Sequence, residues 1–319
     1  MMKDKKQELK QPHDATFKKL FGQTAIARDV IANNLPAEMI NLLDLSTLQL
    51  IDGSFISESL KSSFSDLMFS VTFEGEEAYV ALLLEHKSYP DKLTAFQVAN
   101  YMINFWSKII ENGGEELPLM IPIVVYHGKS HWNYKTDMRH LIKNYETLPT
   151  TFKERLPVLK HDFINIQAQE EEDIKAYRPM TRMVVRSFKY IFDDVDELME
   201  SFLISLDELS NRATDEEIQK LVELLLLYYS AASRDFEEEK LIKKIQDLDG
   251  KGEQMMTILQ ERERRGIKQG LERGLERGLE RGKSEIVKNL LQKNMSYQFI
   301  SETTGFPIEK VKEIKKEMK

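Results

Sequence analysis

The chain has no cysteine in 319 residues. Disulfide scaffolds, zinc–thiolate centres, iron–sulfur clusters and cysteine nucleophiles are excluded by that absence alone. A long apolar run is missing too. The longest apolar block, LVELLLLYYSAA at 221–232, falls short of the roughly 20 residues a membrane-spanning helix needs, and it carries Glu223. The opening stretch, MMKDKKQELKQP, is charged and has no apolar segment behind it. No secretory leader is therefore expected, and a cytoplasmic location is. Nor is there an excess of positive charge, because 45 Lys and Arg stand against 53 Asp and Glu, a net charge of −8. That balance argues against a broadly basic nucleic-acid binder, and any contact with phosphate must gather its cations locally.

What is present is enough for a substantial core, with 41% hydrophobic and 31% charged residues. The stretch HDATFKKLFGQTAIARDVIANNLP has a helical rhythm through Phe17, Leu20, Phe21, Ile26, Val30 and Ile31, with Asp14 suited to the N-cap. STLQLIDGSF reads as a short strand. DLMFSVTF, EGEE and AYVALLLEHK read as two strands and a turn. A helix is expected through KLTAFQVANYMINFWSKII, stopped by NGG. LPLMIPIVVYHGK is a further strand closing on a turn at His127 and Gly128, and HDFINIQ is a candidate for another. From Glu170 to about residue 260 the pattern is helical and charged. KQGLERGLERGLERGK then repeats a four-residue unit three times. Its glycines weaken a helix by up to about 1 kcal/mol each, so the expectation is either a flexible connector or a glycine-faced helix that pairs with another copy. The end of the chain reads as three short helices, broken at Asn294 and before Pro307, a pattern shared by DNA-binding helix-turn-helix units and plain packing hairpins.

The hairpin carries the chemistry. With Gly75 and Glu76 centring the turn, Leu67, Phe69, Val71 and Phe73 oppose Leu84, Leu82, Val80 and Ala78 in one apolar face. On the other face Asp66 is expected directly across from Glu85, with Cβ atoms roughly 5 Å apart. Lys87 is two residues further and points the same way, whereas His86 alternates to the opposite face and reads as a packed or capping histidine. Two carboxylates so placed repel unless one is protonated or a cation lies between them. Mg²⁺ takes hard oxygen ligands and commonly only one or two protein carboxylates, leaving positions for water and phosphate. A lysine beside it can hold or deprotonate an attacking water. The plainer alternative is a surface ion pair of Glu85 with Lys87 and a capping role for Asp66.

Asp66 with Glu85-x-Lys87 resembles the PD-(D/E)XK nuclease superfamily. HDATFKKLF at 13–21, SFSDLMFSV at 63–71, VALLLEHKSYPD at 80–91, LPLMIPIVVYHG at 117–128 followed by Trp132, and the glycine repeat together resemble the recombination-promoting nucleases, also described as YhgA-type transposases. The resemblance runs in order from about residue 12 to about 200. It implies an α/β fold with an αβββαβ core and mixed sheet, and a DNA endonuclease that uses Mg²⁺ or Mn²⁺ to promote recombination. Asp66, Glu85 and Lys87 would be its catalytic residues, with Asp66 and Glu85 on the metal. Many family members carry glutamine at the place of Lys87. Asp14 is the candidate for an acid from the first helix. Gln97 and Tyr101, four apart on one helix face, match a pair that lines the site in related nucleases, although the family more often has a basic residue at the place of Gln97.

The expected organisation is a charged tail (1–11), a nuclease-like domain (12–205), a helical region (206–260), a repeat linker (261–283) and a small helix-turn-helix-like tail (284–319). Expected partners are DNA and, through the repeat, a second copy of the chain. No membrane partner is expected. The local cations are the nine Lys and Arg against six acids at 251–283, together with Lys18, Lys19 and Lys61. The alternative from another class is a catalytically degenerate nuclease fold that binds DNA or a partner within a mobile element. A transposase proper would need three acids on a different core.

Overall fold

The hairpin forms, but on a different turn. In the computed structural model, which describes residues 12–51, 64–85, 90–209, 216–248 and 252–317, strands β2 (Phe64–Phe73) and β3 (Glu76–Glu85) run antiparallel. The two loop residues are Glu74 and Gly75, with φ of 49° and 92°. Both are left-handed, the requirement of a tight type I′ turn, and glycine fills its second position. Phe73 therefore pairs with Glu76, Leu67 with Leu82, Asp66 with Leu83 and Phe64 with Glu85. The expected register, with Asp66 opposite Glu85, is off by two residues. A slip of two keeps every side chain on its face, so Asp66 and Glu85 still share one, as diagonal neighbours.

The hairpin is the centre of a five-stranded mixed sheet in the order β1-β2-β3-β4-β5. β1 (Leu43–Ile51) is antiparallel to β2, while β4 (Leu119–Tyr126) and β5 (Asp162–Asn165) continue parallel to β3. Three helices precede the sheet: α1 (Pro12–Phe21), α2 (Thr24–Asn34) and the single turn α3 (Ala37–Ile40). Helix α4 (Thr94–Glu111) crosses from β3 to β4 and ends ahead of Gly113, whose φ is 90°. Its Val98, Tyr101, Met102 and Phe105 recur at helical spacing and pack on Met68, Ala81, Leu83, Met120 and Val124. Helix α1 packs against β2. At the end of that helix, a side chain at Gly22 would meet the Lys18 carbonyl and lie against Leu50 and Leu67.

A short helix α5 (Thr150–Lys153) lies between β4 and β5. The helical region then comprises α6 (Glu171–Ala176), α7 (Pro179–Tyr190), α8 (Val195–Leu209), α9 (Glu216–Ala232) and α10 (Glu238–Gln246). α9 packs against α1 and α7, and the buried Arg186 of α7 ties Glu171 to Glu208 by ion pairs of 2.9 and 3.2 Å. No described helix is long and apolar enough to cross a membrane.

The chain divides into two compact units, Met1–Ile258 and Leu259–Lys319. The second contains most of α11 (Gly252–Gln292), then α12 (Tyr297–Thr304) and α13 (Ile308–Glu317). Val287, Leu291, Ile300, Val311 and Ile314 form its core. Ser296 caps α12 by accepting from the Phe299 amide, and Gly305 at φ 70° ends it. The four-residue repeat lies within α11 and is helical.

Candidate active site

Glu85 is the last residue of β3 and is only 2% exposed, although Leu82, Leu83 and Leu84 before it are fully buried apolar side chains. A carboxylate in such a place needs polar partners. One is the Thr94 hydroxyl, which donates to it at 3.1 Å from the first turn of α4. Asp66 stands diagonally across on β2, with a Cβ separation of about 7 Å for such a pair. The Tyr101 hydroxyl donates to it at 3.3 Å. Tyr101 is 2% exposed, so this hydroxyl is a fixed part of the α4 face.

Burial pushes the Asp66 carboxyl above its ordinary range, and the nearby Asp14 carboxylate pushes in the same direction. Lys18, the Asp66 amide and Tyr101 oppose the rise without cancelling it. Burial and the bond to Asp66 together hold the Tyr101 hydroxyl far above its usual value, so it acts only as a donor here. On the other side, Val125 pairs with Leu84, which brings Tyr126 beside Glu85. The Tyr126 hydroxyl is raised by burial and, more weakly, by the Glu85 charge.

Asp14 lies inside the first turn of α1, where it forms an i,i+4 ion pair with Lys18 at 3.7 Å. Its Oδ1 is buried without a hydrogen-bond partner. Asp14, Lys18, Asp66 and Tyr101 thus form one electrostatic cluster, which joins the end of the sheet to α1 and α4. Gln97 does not reach it; its amide donates to Asp91 at 3.4 Å. Lys87 and His86 lie outside the described residues, as does Lys61. His127 follows the end of β4, and its buried ring stacks on Phe192, 5.3 Å away.

Sequence reasoning missed Thr94, which carries no motif beyond its place at the start of a helix. Lys18 was noted only as a cation near the site, but it acts directly on Asp66. Among the described residues no group of three or more His, Asp or Glu side chains is placed to hold a metal ion together. A cation here would rest on one or two carboxylates, a number that suits Mg²⁺ and leaves positions for water and phosphate. The Asp14 oxygen, which faces Lys18 but accepts no hydrogen bond, and the raised carboxyl of Asp66 fit a site that gains from a positive charge.

Comparison with known proteins finds several recombination-promoting nucleases. Over 119 residues the chain is 41% identical to recombination-promoting nuclease RpnC of Escherichia coli K12, a match spanning 37% of this chain and 40% of RpnC. It is 29% identical to RpnA of the same strain over 222 residues, spanning 69% of this chain and 74% of RpnA. It is also 34% identical over 119 residues, 37% of this chain and 40% of the relative, to RpnE of that strain, which is named an inactive recombination-promoting nuclease-like protein. The chain thus spans about two fifths of RpnC and RpnE. No solved structure matches it. The model of the family described as "Putative transposase, YhgA-like" matches residues 11–219, more than half the chain, and the protein belongs to that family.

Proposed function

We propose that the protein is a metal-dependent DNA endonuclease that hydrolyses phosphodiester bonds and promotes recombination in the cytoplasm. The observation that carries this reading is the pair of acids, Asp66 and Glu85, on one face of the hairpin at the end away from its turn, where Glu85 is buried behind Leu82, Leu83 and Leu84. The succession of helices, three antiparallel strands, helix and parallel strand supports a PD-(D/E)XK nuclease fold.

Asp66 and Glu85 would hold Mg²⁺ or Mn²⁺, with Asp14 as a further acid. The ion, when bound, polarises the phosphate and lowers the pKa of a bound water. The protein's own groups prepare that place. Tyr101 orients the Asp66 carboxylate and favours its charged form, and Thr94 orients Glu85. Lys87 would hold or deprotonate the attacking water. The second reading, a degenerate nuclease fold that binds DNA or a partner, draws on the relative named inactive. The test is supercoiled plasmid incubated with purified protein, with EDTA or Mg²⁺. Nicking that needs Mg²⁺ and vanishes in Glu85→Gln supports the endonuclease, and persistent cleavage in that variant refutes it.

The repeat supports self-association with a second copy. Ile267, Leu271, Leu275 and Leu279 are 60, 76, 66 and 59% exposed along α11. Gly274, Gly278 and Gly282 have open space around them, which permits close approach of another helix. Each repeat unit brings one Glu and one Arg, so two copies are complementary in charge.

A further inference from the structure

Residues 127–161, which connect β4 to β5, are a basic island in an acidic chain. They hold seven Lys and Arg against three acids, and four of the six histidines, in a protein of net charge −8. Arg139 and Lys160 are paired with Asp137, and His140 with Glu146. Lys129, Lys135, Lys143, Lys153 and Arg155 have no acid partner among the described residues, and all but the half-buried Lys153 are exposed.

The island is fastened to the site. It leaves the sheet at Tyr126, the neighbour of Glu85. The Tyr126 hydroxyl donates to the Ser130 carbonyl at 2.9 Å, which ties down the chain beside Lys129. Trp132 packs on Tyr126 and Phe163 at 5.1 and 4.7 Å, and its indole N–H donates to the Tyr134 carbonyl next to Lys135. A second stem closes at Asp137 and Lys160, with Met138 donating to Leu159 and His161 to Thr136. Leu159 is anchored against the α4 core. Beyond that stem, the Tyr145 ring gathers Arg139 and Lys153 at 5.7 and 5.1 Å. Cations without an acid partner among the described residues are thus carried on braced backbone that leaves the sheet beside Glu85, where an external anion could meet them.

We propose that this segment is the docking surface for the phosphate backbone of duplex DNA, delivering the scissile strand to Asp66 and Glu85. The proposal rests on the endonuclease reading and specifies where its substrate binds. Three of the cations, Lys129, Lys135 and Lys143, are exposed and have no ion pair or side-chain hydrogen bond among the described residues, so neutralising them leaves the fold intact. Each lysine that meets a phosphate contributes about 0.9 to the slope of log affinity against log salt.

The experiment measures binding of a fluorescent 30-base-pair duplex, by anisotropy in EDTA across a salt series. The parent is compared with Lys129→Gln/Lys135→Gln/Lys143→Gln and with a charge-matched control, Lys220→Gln/Lys240→Gln/Lys312→Gln. The expected result is a salt slope lower by about 2.7 in the first variant and unchanged in the control. Equal slopes in all three proteins, or equal losses in both variants, overturn the proposal. So does tighter binding of an RNA duplex of the same sequence. If Glu85→Gln still cleaves while the lysine variant loses DNA affinity, the nuclease reading fails and the docking surface stands.

Discussion

Replacing Asp66 by asparagine separates a catalytic carboxylate from a structural one. The amide has nearly the same size, and its oxygen can still accept the Tyr101 hydroxyl. What disappears is a charge that burial and Asp14 already disfavour. The stability consequence has a definite sign. A carboxyl whose pKa is raised in the folded state binds its proton more tightly there than in the unfolded chain. Its stabilising contribution is complete below the ordinary carboxylate range and is lost as pH rises through the folded value. At neutral pH the parent therefore carries a penalty that Asp66→Asn escapes, and the gap closes in acid. The variant should melt at or above the parent temperature in EDTA. Because Lys18 and Tyr101 already offset part of the penalty, the gain should stay within about 1 kcal/mol.

Cleavage should move the other way. Removing one group that stabilises the transition-state charge costs about 3 kcal/mol, which is roughly a hundredfold in rate. The assay pairs plasmid nicking in Mg²⁺ with thermal unfolding of the same preparation in EDTA. A hundredfold loss of nicking without loss of melting temperature is expected. Parental nicking in a well-folded variant refutes the site. A loss of nicking that merely follows a melting temperature lowered by several degrees refutes the electrostatic reasoning.

Tyr101→Phe removes a hydroxyl that favours the charged form of Asp66, so the acid limb of the pH–rate profile should shift to higher pH; an unmoved limb would detach Tyr101 from the chemistry. Lys87→Gln should reduce nicking less than Asp66→Ala does, and His86→Ala should leave most of it; a larger loss in His86→Ala would reverse the assignment of faces along the end of β3. Leu275→Glu with Leu279→Glu puts charge into the exposed α11 stripe and should lower the mass seen by sedimentation velocity while Mg²⁺-dependent nicking persists. A parent that sediments as a monomer would end the case for self-association through the repeat.

The hairpin illustrates what could be read from the sequence and what could not. Alternation gave Asp66 and Glu85 a common face because parity survives any slip of two residues. The register itself depended on whether Gly75 filled the first or the second turn position, and the backbone placed it second. Helical spacing put Tyr101 on the buried side of α4, but nothing in that spacing distinguished a core ring from a donor to Asp66. Gln97, four residues earlier, shares the period and yet turns toward Asp91. Lys18 and Thr94 became visible as site residues only once α1 and α4 were seen to meet the same end of the sheet. The cations between β4 and β5 were hidden for a similar reason. They are spread over some thirty residues of irregular chain, and only the parallel pairing of β3 with β4 brings that segment beside Glu85.

The acids also distinguish an enzyme from a binding module. A surface that only holds DNA gains from cations and loses from every nearby carboxylate, because each repels the phosphates. Two unit charges about 7 Å apart repel by roughly 0.6 kcal/mol even at the dielectric constant of water, and by more in a partly buried site. Asp66 and Glu85 together should therefore weaken metal-free DNA binding by about tenfold. Asp66→Asn/Glu85→Gln should bind the duplex that much more tightly than the parent in EDTA. Adding Mg²⁺ should raise the affinity of the parent toward that of the variant, since a divalent ion cancels the charge that the substitutions remove. The variant should bind without cutting. Equal affinities in EDTA would mean that the DNA passes far from these carboxylates, and an unchanged difference in Mg²⁺ would mean that they hold no metal.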